Sequence, residues 1–354
     1  MNKVVLTASD LDGYLTDSDK NKLSQMEEYY KEATRIGEKL SETLDPVGRE
    51  EGKKSLIAMY NTMGDFMQEI TGREEKIKVY PFETPRENHG EASRLIAKLR
   101  DVDTQQHEFI YYIQRAYELL FNLAFSGWDS SKRNYFIKKT PVTSPVQNYA
   151  VHKIPDVDDH INNSVMCVML RGALLPSMIM SKEVEEYSSN GYITPFALFR
   201  IQRDDSKREK DMEYILDLGR SFFDLETLEG KDLIFADPMN ATGGSLVTIV
   251  KYLQDQGIKP RSILFFNAIS ALKGSLRIAR AIDNACIYTL WMDPVLNEKA
   301  YILPGLGDAG DRINGPDTHD SPRNIIQLIA DYGTSVTSLY RSQVREIEAT
   351  VLGR

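Results

Sequence analysis

Cysteine is nearly missing from this chain of 354 residues: only Cys167 and Cys286 occur, both inside apolar runs that read as core strands. Two such thiols make no disulfide framework and suit a cytoplasmic, disulfide-free protein. Also lacking is any uninterrupted apolar stretch long enough to cross a bilayer, and the first residues do not show the basic-then-apolar order of a secretory leader. Positive charge is short as well, with 43 Lys and Arg against 52 Asp and Glu and a formal net charge of -9. That balance argues against nucleic acid or an anionic membrane as the main partner. It points to small ligands, with room for a local basic pocket that takes phosphates. Histidine is sparse too: His89, His107, His152, His160 and His319 show neither metal-ligand spacing nor a partnered nucleophile, and read as surface or structural residues.

What is present is enough apolar matter, 42% of the residues, to bury a sizeable core, as one large domain with an extension or as two domains. Over residues 18–71, Leu23, Met26, Tyr30, Ala33, Leu40 and Leu44 form one stripe at helical spacing, and Leu56, Met59, Met63, Phe66 and Ile70 a second. Asp45-Pro46-Val47-Gly48 breaks the pattern and Gly72 can close it, so a helical hairpin is expected. Its stripes would pack on each other or on the main domain; holding a protein partner is the alternative.

From Ile77 the texture changes. A helix is expected over 104–125, strands over 164–170, 193–201, 211–217, 231–237, 262–269 and 286–292, and helices near 176–188, 244–256 and 271–282. Such alternation implies an α/β domain with a mainly parallel sheet, in which ligands bind beyond the carboxyl ends of the strands. Ser321-Pro322 can cap and start another helix, and a last one is expected over 334–351. The chain thus divides into a helical extension (1–75), an α/β domain (76–320) and a C-terminal helical segment (321–354).

The stretch "KDLIFADPMNATGGSLVTIVKYL" carries most of the chemistry. An apolar run stops at Asp237, small residues follow at 241–245, and a helix begins at once. Small residues let backbone N–H groups approach an anion, and the helix start adds its positive dipole end. The Thr242 and Ser245 hydroxyls can donate further, whereas Asp237 repels phosphate and suits sugar hydroxyls or a metal ion. A sugar phosphate is the implied ligand; an ordinary glycine turn capping a helix is the competing account. The loop is neither a Walker A sequence nor the GxGxxG of dinucleotide sites.

A second stretch, "AYILPGLGDAGDR" at 300–312, makes the pattern specific. Asp237 to Ser245 and Tyr301 to Arg312 closely resemble, in order and separation, the phosphoribosyl-pyrophosphate loop and the uracil-binding loop of uracil phosphoribosyltransferases. Weaker likenesses are "LRDVDTQQHEF" from Leu99, "VMLRG" at 168–172 and "RIQRDD" at 200–205, so that about 76–318 is covered. The resemblance implies the type I phosphoribosyltransferase fold, with added helices at both ends, and the Mg²⁺-dependent conversion of uracil and phosphoribosyl pyrophosphate to UMP and diphosphate in pyrimidine salvage. It also implies a dimer or a multiple of one. In its terms Asp237, Pro238, Met239, Asn240, Ala241, Thr242, Gly243, Gly244 and Ser245 cradle the ribose 5-phosphate, with Asp237 on the ribose hydroxyls. Arg171 and Arg203 hold the diphosphate. Ile302, Gly307 and Ala309 read the base through their backbone, Tyr301 flanks it, and Asp308 contacts the substrates and their Mg²⁺. Asp308, Arg171 and Asp237 are the expected catalytic residues.

Three positions depart from the family: Asn240 replaces a small apolar residue, Gly172-Ala173 reverses an Ala-Gly order, and Ile110 replaces an arginine. They leave a second class open, a non-catalytic sensor or scaffold that keeps the phosphoribosyl site and uses its extra helices to hold a partner. Near the N-terminus "VVLTASDLDGYLTD" imitates, with Asp10 and Asp12, the Asp-x-Asp-Gly opening of haloacid-dehalogenase phosphatases. Tyr14 stands where those enzymes carry Thr, and a helical hairpin follows, so a capping loop is expected.

Overall fold

The computed structural model describes residues 3–42, 45–125, 132–315 and 340–353. Leu44, the helix expected from Ser321 and the first residues of the last expected helix lie outside these.

The chain opens with strand β1 (Lys3–Thr7) and the short helix α1 (Ala8–Asp12). Thr7 ends the strand with a reciprocal cap: its hydroxyl accepts from the Asp10 N–H, and the Asp10 carboxylate accepts from the Thr7 N–H at 2.9 Å. The Asp-x-Asp signature therefore begins as a cap. Helices α2 (Asp17–Glu42) and α3 (Pro46–Thr71) form the expected hairpin, with Asp45 capping α3 through the Gly48 N–H at 2.8 Å. Met26, Ala33, Met63 and Ile70 of the two stripes are buried, and Tyr29 meets Phe66 edge to face at 5.8 Å.

Strand β2 (Ile77–Val79) leads through α4 (Tyr80–Glu83) to α5 (His89–Arg100) and α6 (Gln106–Phe125). A hairpin of β3 (Arg133–Lys139) and β4 (Tyr149–Pro155) stands outside the main sheet, followed by α7 (Asp158–Ile161). The expected alternation then appears: β5 (Ser164–Leu170), α8 (Leu174–Tyr187), β6 (Phe196–Arg203), β7 (Glu213–Phe222), β8 (Asp232–Ala236), β9 (Met239–Asn240) and α9 (Gly244–Asp255). Next come β10 (Ser262–Ala271), α10 (Leu272–Ala281) and β11 (Ala285–Asp293). A small ladder of β12 (Val295–Leu296) and β13 (Ile302–Leu303) precedes α11 (Ala309–Asn314), and α12 (Arg341–Leu352) is the last described element.

The main sheet runs β1-β7-β6-β5-β8-β10-β11-β2, with β9 on β10. It is parallel from β6 to β2, while β7 and β1 form an antiparallel edge. Its middle strands β5, β8 and β10 are almost wholly buried, as parallel strands covered on both faces must be. From β5 the chain winds through α8 to β6 on one side; from β8 it winds through α9 to β10 on the other. The switch point thus lies between the carboxyl ends of β5 and β8, where Arg171 and Asp237 follow.

One expectation is corrected. Residues 1–75 are not a purely helical extension, because β1 is an edge strand of the main sheet, with Leu6 opposite Tyr214 of β7. The hairpin is tied down as well: Arg280 of α10 pairs with Asp19 at 3.0 Å and with Glu74 at 2.6 Å. Among the described residues no helix is long and apolar enough to cross a membrane.

Candidate functional site

Asp237 is fixed where β8 ends. Its N–H donates to the Phe266 carbonyl at 3.0 Å, and its own carbonyl accepts from Asn267 Nδ2 at 2.9 Å, which ties it to β10. The carboxylate accepts from the Met239 N–H at 2.9 Å. Loss of solvent pushes this carboxyl up to about 7; the Met239 N–H pulls it down, and the negative charge of Asp308 adds to the rise.

The following loop turns sharply into α9. Gly243 adopts φ +75°, and a Cβ there would stand 2.8 Å from the Gly274 carbonyl, so the position demands glycine on both counts. Gly244 begins α9, its N–H donating to Thr242 Oγ1 at 3.4 Å, and the helix start brings its positive end to the cleft that Gly243, Gly244 and Ser245 line. Asn240, which departs from the family pattern, is buried and donates from Nδ2 to Ser270 Oγ at 2.7 Å; Ser270 in turn pairs with Ser275 Oγ at 2.6 Å. Those hydroxyls satisfy an amide that an apolar core could not.

Two arginines from neighbouring strands line the same cleft as this loop. Arg171, which follows β5 through a cis peptide bond, donates from Nη1 to the Gly315 carbonyl at 2.8 Å and from Nη2 to Asp311 Oδ1 at 2.6 Å. Arg203, the last residue of β6, donates to Asp205 Oδ1 at 2.8 Å and to the Ala300 carbonyl at 3.3 Å, and lies 5.0 Å from the centre of the Tyr301 ring. The reversed Gly172-Ala173 pair also has a reason. A Cβ on Gly172 would stand 3.3 Å from Gly310 Cα, so glycine lets the backbone after β5 approach that of α11, while Ala173 is buried before α8.

The stretch at 300–312 is braced from behind. The Gly305 N–H donates to Asp293 Oδ2 at 2.8 Å, and Arg100 clasps both Asp293 oxygens at 2.9 and 2.6 Å and the Gly305 carbonyl at 2.7 Å. Arg312 lies 4.2 Å from the centre of the Phe109 ring and donates to the Leu306 carbonyl at 3.0 Å. Asp308 caps α11 by accepting from the Asp311 N–H at 3.0 Å.

Together these segments line a cleft of about 380 Å³. Arg171, Arg203, the whole run Asp237, Pro238, Met239, Asn240, Ala241, Thr242, Gly243, Gly244 and Ser245, and Asp308 with Ala309 all reach it. Tyr301, Ile302 and Gly307 do not line it: the Tyr301 ring lies beneath the Arg203 guanidinium, and Ile302 is buried in the β12–β13 ladder. Tyr214 of β7 lines it too, and sequence reasoning missed it, as it missed the bracing Arg100 and Asp293. Arg100 and Arg312 lay within stretches that carried the likeness, which was the available signal; Tyr214 and Asp293 had none. No group of three or more His, Cys, Asp or Glu able to hold a metal occurs among the described residues.

The family model for uracil phosphoribosyltransferase matches residues 87–315. A relative from Mycoplasmoides gallisepticum, named uracil phosphoribosyltransferase, is 30% identical over 229 residues, which cover 64% of this chain and 96% of the relative. One of the same name from Campylobacter fetus subsp. fetus is 30% identical over 215 residues, covering 61% and 89%. Among solved structures, a protein from Aquifex aeolicus aligns with a TM-score of 0.44 at 22% identity, over 63% of this chain and 94% of that one.

Proposed function

The chain belongs to the uracil phosphoribosyltransferase family, and we propose on that premise that it transfers the 5-phosphoribosyl group of phosphoribosyl pyrophosphate to N1 of uracil, giving UMP and diphosphate. The observation that supports this most directly is one cleft shared by a phosphate-sized glycine turn at the start of α9, the Asp237 carboxylate and the guanidiniums of Arg171 and Arg203. In this reading the amides of 241–245 hold the 5-phosphate and Asp237 accepts from the ribose hydroxyls. As the C1–O bond breaks, positive charge grows on the ribose and negative charge on the departing diphosphate. Arg171, released from Asp311, and Arg203 then take the diphosphate oxygens. Uracil N1 adds to C1 from the side of residues 302–309 as its N1 proton passes to the departing diphosphate or to solvent, with no covalent enzyme intermediate. The base would be held by the backbone of Ile302, Gly307 and Ala309.

Mg²⁺ fits this donor set. The Asp237 carboxyl has one oxygen on the Met239 N–H and feels the Asp308 charge, so two carboxylates share the field of the cleft. Asp237 and Asp308, which both line the cleft, would hold the ion. When bound it supplies neutralisation of the leaving group's charge.

The sensor reading is weaker. Its support came from Asn240, the Gly172-Ala173 order and the added helical ends, and the first two have packing reasons. The helical hairpin also packs Met26, Ala33, Met63 and Ile70 into the same core, which favours a structural role over holding a partner. A cytoplasmic homodimer is the assembly we propose. The hairpin of β3 and β4 leaves Tyr135, Ile137, Tyr149 and Val151 exposed for a second copy, and sedimentation at the mass of a single chain would count against it. The deciding experiment mixes the protein with uracil, phosphoribosyl pyrophosphate and Mg²⁺. Diphosphate release that needs both substrates is expected; UMP binding without any release would leave only the sensor.

A further inference from the structure

The family match begins at residue 87, yet the chain before it reaches the back of the phosphate loop. The link is Arg277 of α10, whose side chain is wholly buried. A guanidinium keeps its charge in such a place and so requires partners. Asp12, at the end of α1, supplies them: its Oδ1 accepts from Arg277 Nε at 3.0 Å and from Nη2 at 2.5 Å. Glu209 Oε1 accepts from Nη2 at 3.0 Å, but it also takes Lys273 Nζ at 2.9 Å, whereas Asp12 stands 4.0 Å from that ammonium. Asp12 thus holds Arg277 at close range and meets Lys273 only at the outer limit of an ion pair. The remaining nitrogen, Nη1, donates to the Thr242 carbonyl at a long 3.4 Å.

That carbonyl belongs to the same planar peptide as the Gly243 N–H, and in a trans peptide the two point in opposite directions. Arg277 does not line the cleft, so a Thr242 carbonyl held toward it leaves the Gly243 N–H turned away from it, on the side where the phosphate is proposed to sit. A second path runs parallel: β1 pairs Leu6 with Tyr214, and the Tyr214 ring covers Gly244. We infer that residues 3–12 complete the phosphate cradle, with Asp12 a positioning residue that acts through Arg277 on the Thr242–Gly243 peptide. This rests on the phosphate-loop assignment made above. Without Asp12, two cations face Glu209 alone, Arg277 turns toward it, and the peptide is freed to rotate.

Ribose 5-phosphate, titrated calorimetrically into the full chain, tests this without any turnover. Asp12→Ala is expected to weaken it by about tenfold or more, the cost of one charge-assisted contact, and Asp12→Glu to recover part of the loss. In the full reaction the KM for phosphoribosyl pyrophosphate should rise by a similar factor, while the KM for uracil stays within about twofold. Affinity within about twofold of wild type in folded Asp12→Ala overturns the inference, and so does an equal loss toward uracil. Should Asp12→Ala not fold, Asp12→Asn is read in its place; if neither folds, Asp12 serves stability and the positioning role is overturned. A wild-type protein that binds ribose 5-phosphate but releases no diphosphate sinks the proposed reaction and leaves this inference standing on its own result. One that ignores ribose 5-phosphate overturns the cradle itself.

Discussion

Tyr214 lies over Gly244 so closely that a Cβ on the glycine would stand 2.2 Å from the ring's Cζ. The ring is buried and lines the cleft beside the glycine turn. Burial raises the pKa of its hydroxyl; Thr242 stands near enough to pull the other way, although the hydroxyl has no hydrogen bond of ordinary geometry.

Adding one methyl at this contact should therefore be expensive. Gly244→Ala is expected to cost about 1–3 kcal/mol in unfolding free energy, the usual range for overpacking a tight site. It should also remove most of the rise in melting temperature that UMP causes by linkage. Tyr214→Ala in the same chain opens the space and should return part of the stability, a non-additivity expected of touching residues. A single Gly244→Ala protein with a full UMP-induced shift would show that the phosphate does not sit on this turn.

Asp237 gives a pH dependence whose sign is fixed. Its carboxyl titrates near 7 in the fold against an ordinary value of 3.8, so over that window the folded chain holds a proton that the unfolded chain has lost. Stability from this group is then fully present below the ordinary value, falls as pH rises toward 7, and is level above. Glu183 of α8 also titrates near 7 through burial, so wild type alone cannot isolate the effect. The melting temperature of Asp237→Asn minus that of wild type cancels such background and should grow between about pH 4 and pH 7, then stay flat. A difference independent of pH across that range would mean that Asp237 is not held protonated by its surroundings.

The legible parts of this molecule were those with local signals. The buried strands β5, β8 and β10 are nearly continuous apolar runs, and the glycines at 243 and 244 with Asp237 before them marked the turn directly. β3 and β4 escaped notice because none of their residues is buried and apolar residues run together in Tyr135-Phe136-Ile137 and Tyr149-Ala150-Val151, so no period-two alternation is written into them. β1 was missed because five residues followed by Asp10 read as a capping loop, which is also what Thr7 and Asp10 build. Tyr214 and Arg277 carry no local mark, and the mark on Asp12 pointed to a different chemistry: their roles arise only where α1, β7 and α10 meet behind the turn.

The base accepted by the site follows from how rigidly the 302–309 backbone is held. Uracil presents two carbonyl acceptors around an N3–H donor, whereas cytosine replaces O4 by an amino donor and N3–H by an acceptor, inverting the pattern along that edge. A side chain could rotate to suit either base; a peptide group cannot, and this stretch is pinned. Gly305 and Gly307 sit at φ +66° and +77°, Gly305 is clamped between Asp293 and Arg100, and Arg312 holds the Leu306 carbonyl. The Gly305 N–H is already given to Asp293, so in the proposed reading the donor for O4 would come from Gly307 or Ala309 and the acceptor for N3–H from a carbonyl near Ile302. Cytosine would leave both peptide groups unpaired in a desolvated place. Sites that bond their substrate in this way reject a mismatched analogue by about four to five orders of magnitude. Uracil and 5-fluorouracil, which share the same edge, are therefore expected to release diphosphate, with cytosine, hypoxanthine and adenine essentially inert under the same Mg²⁺ and phosphoribosyl pyrophosphate. Cytosine turned over within about tenfold of uracil would show that the base is not read by fixed peptide groups, and a purine accepted in place of uracil would remove the proposed reaction altogether.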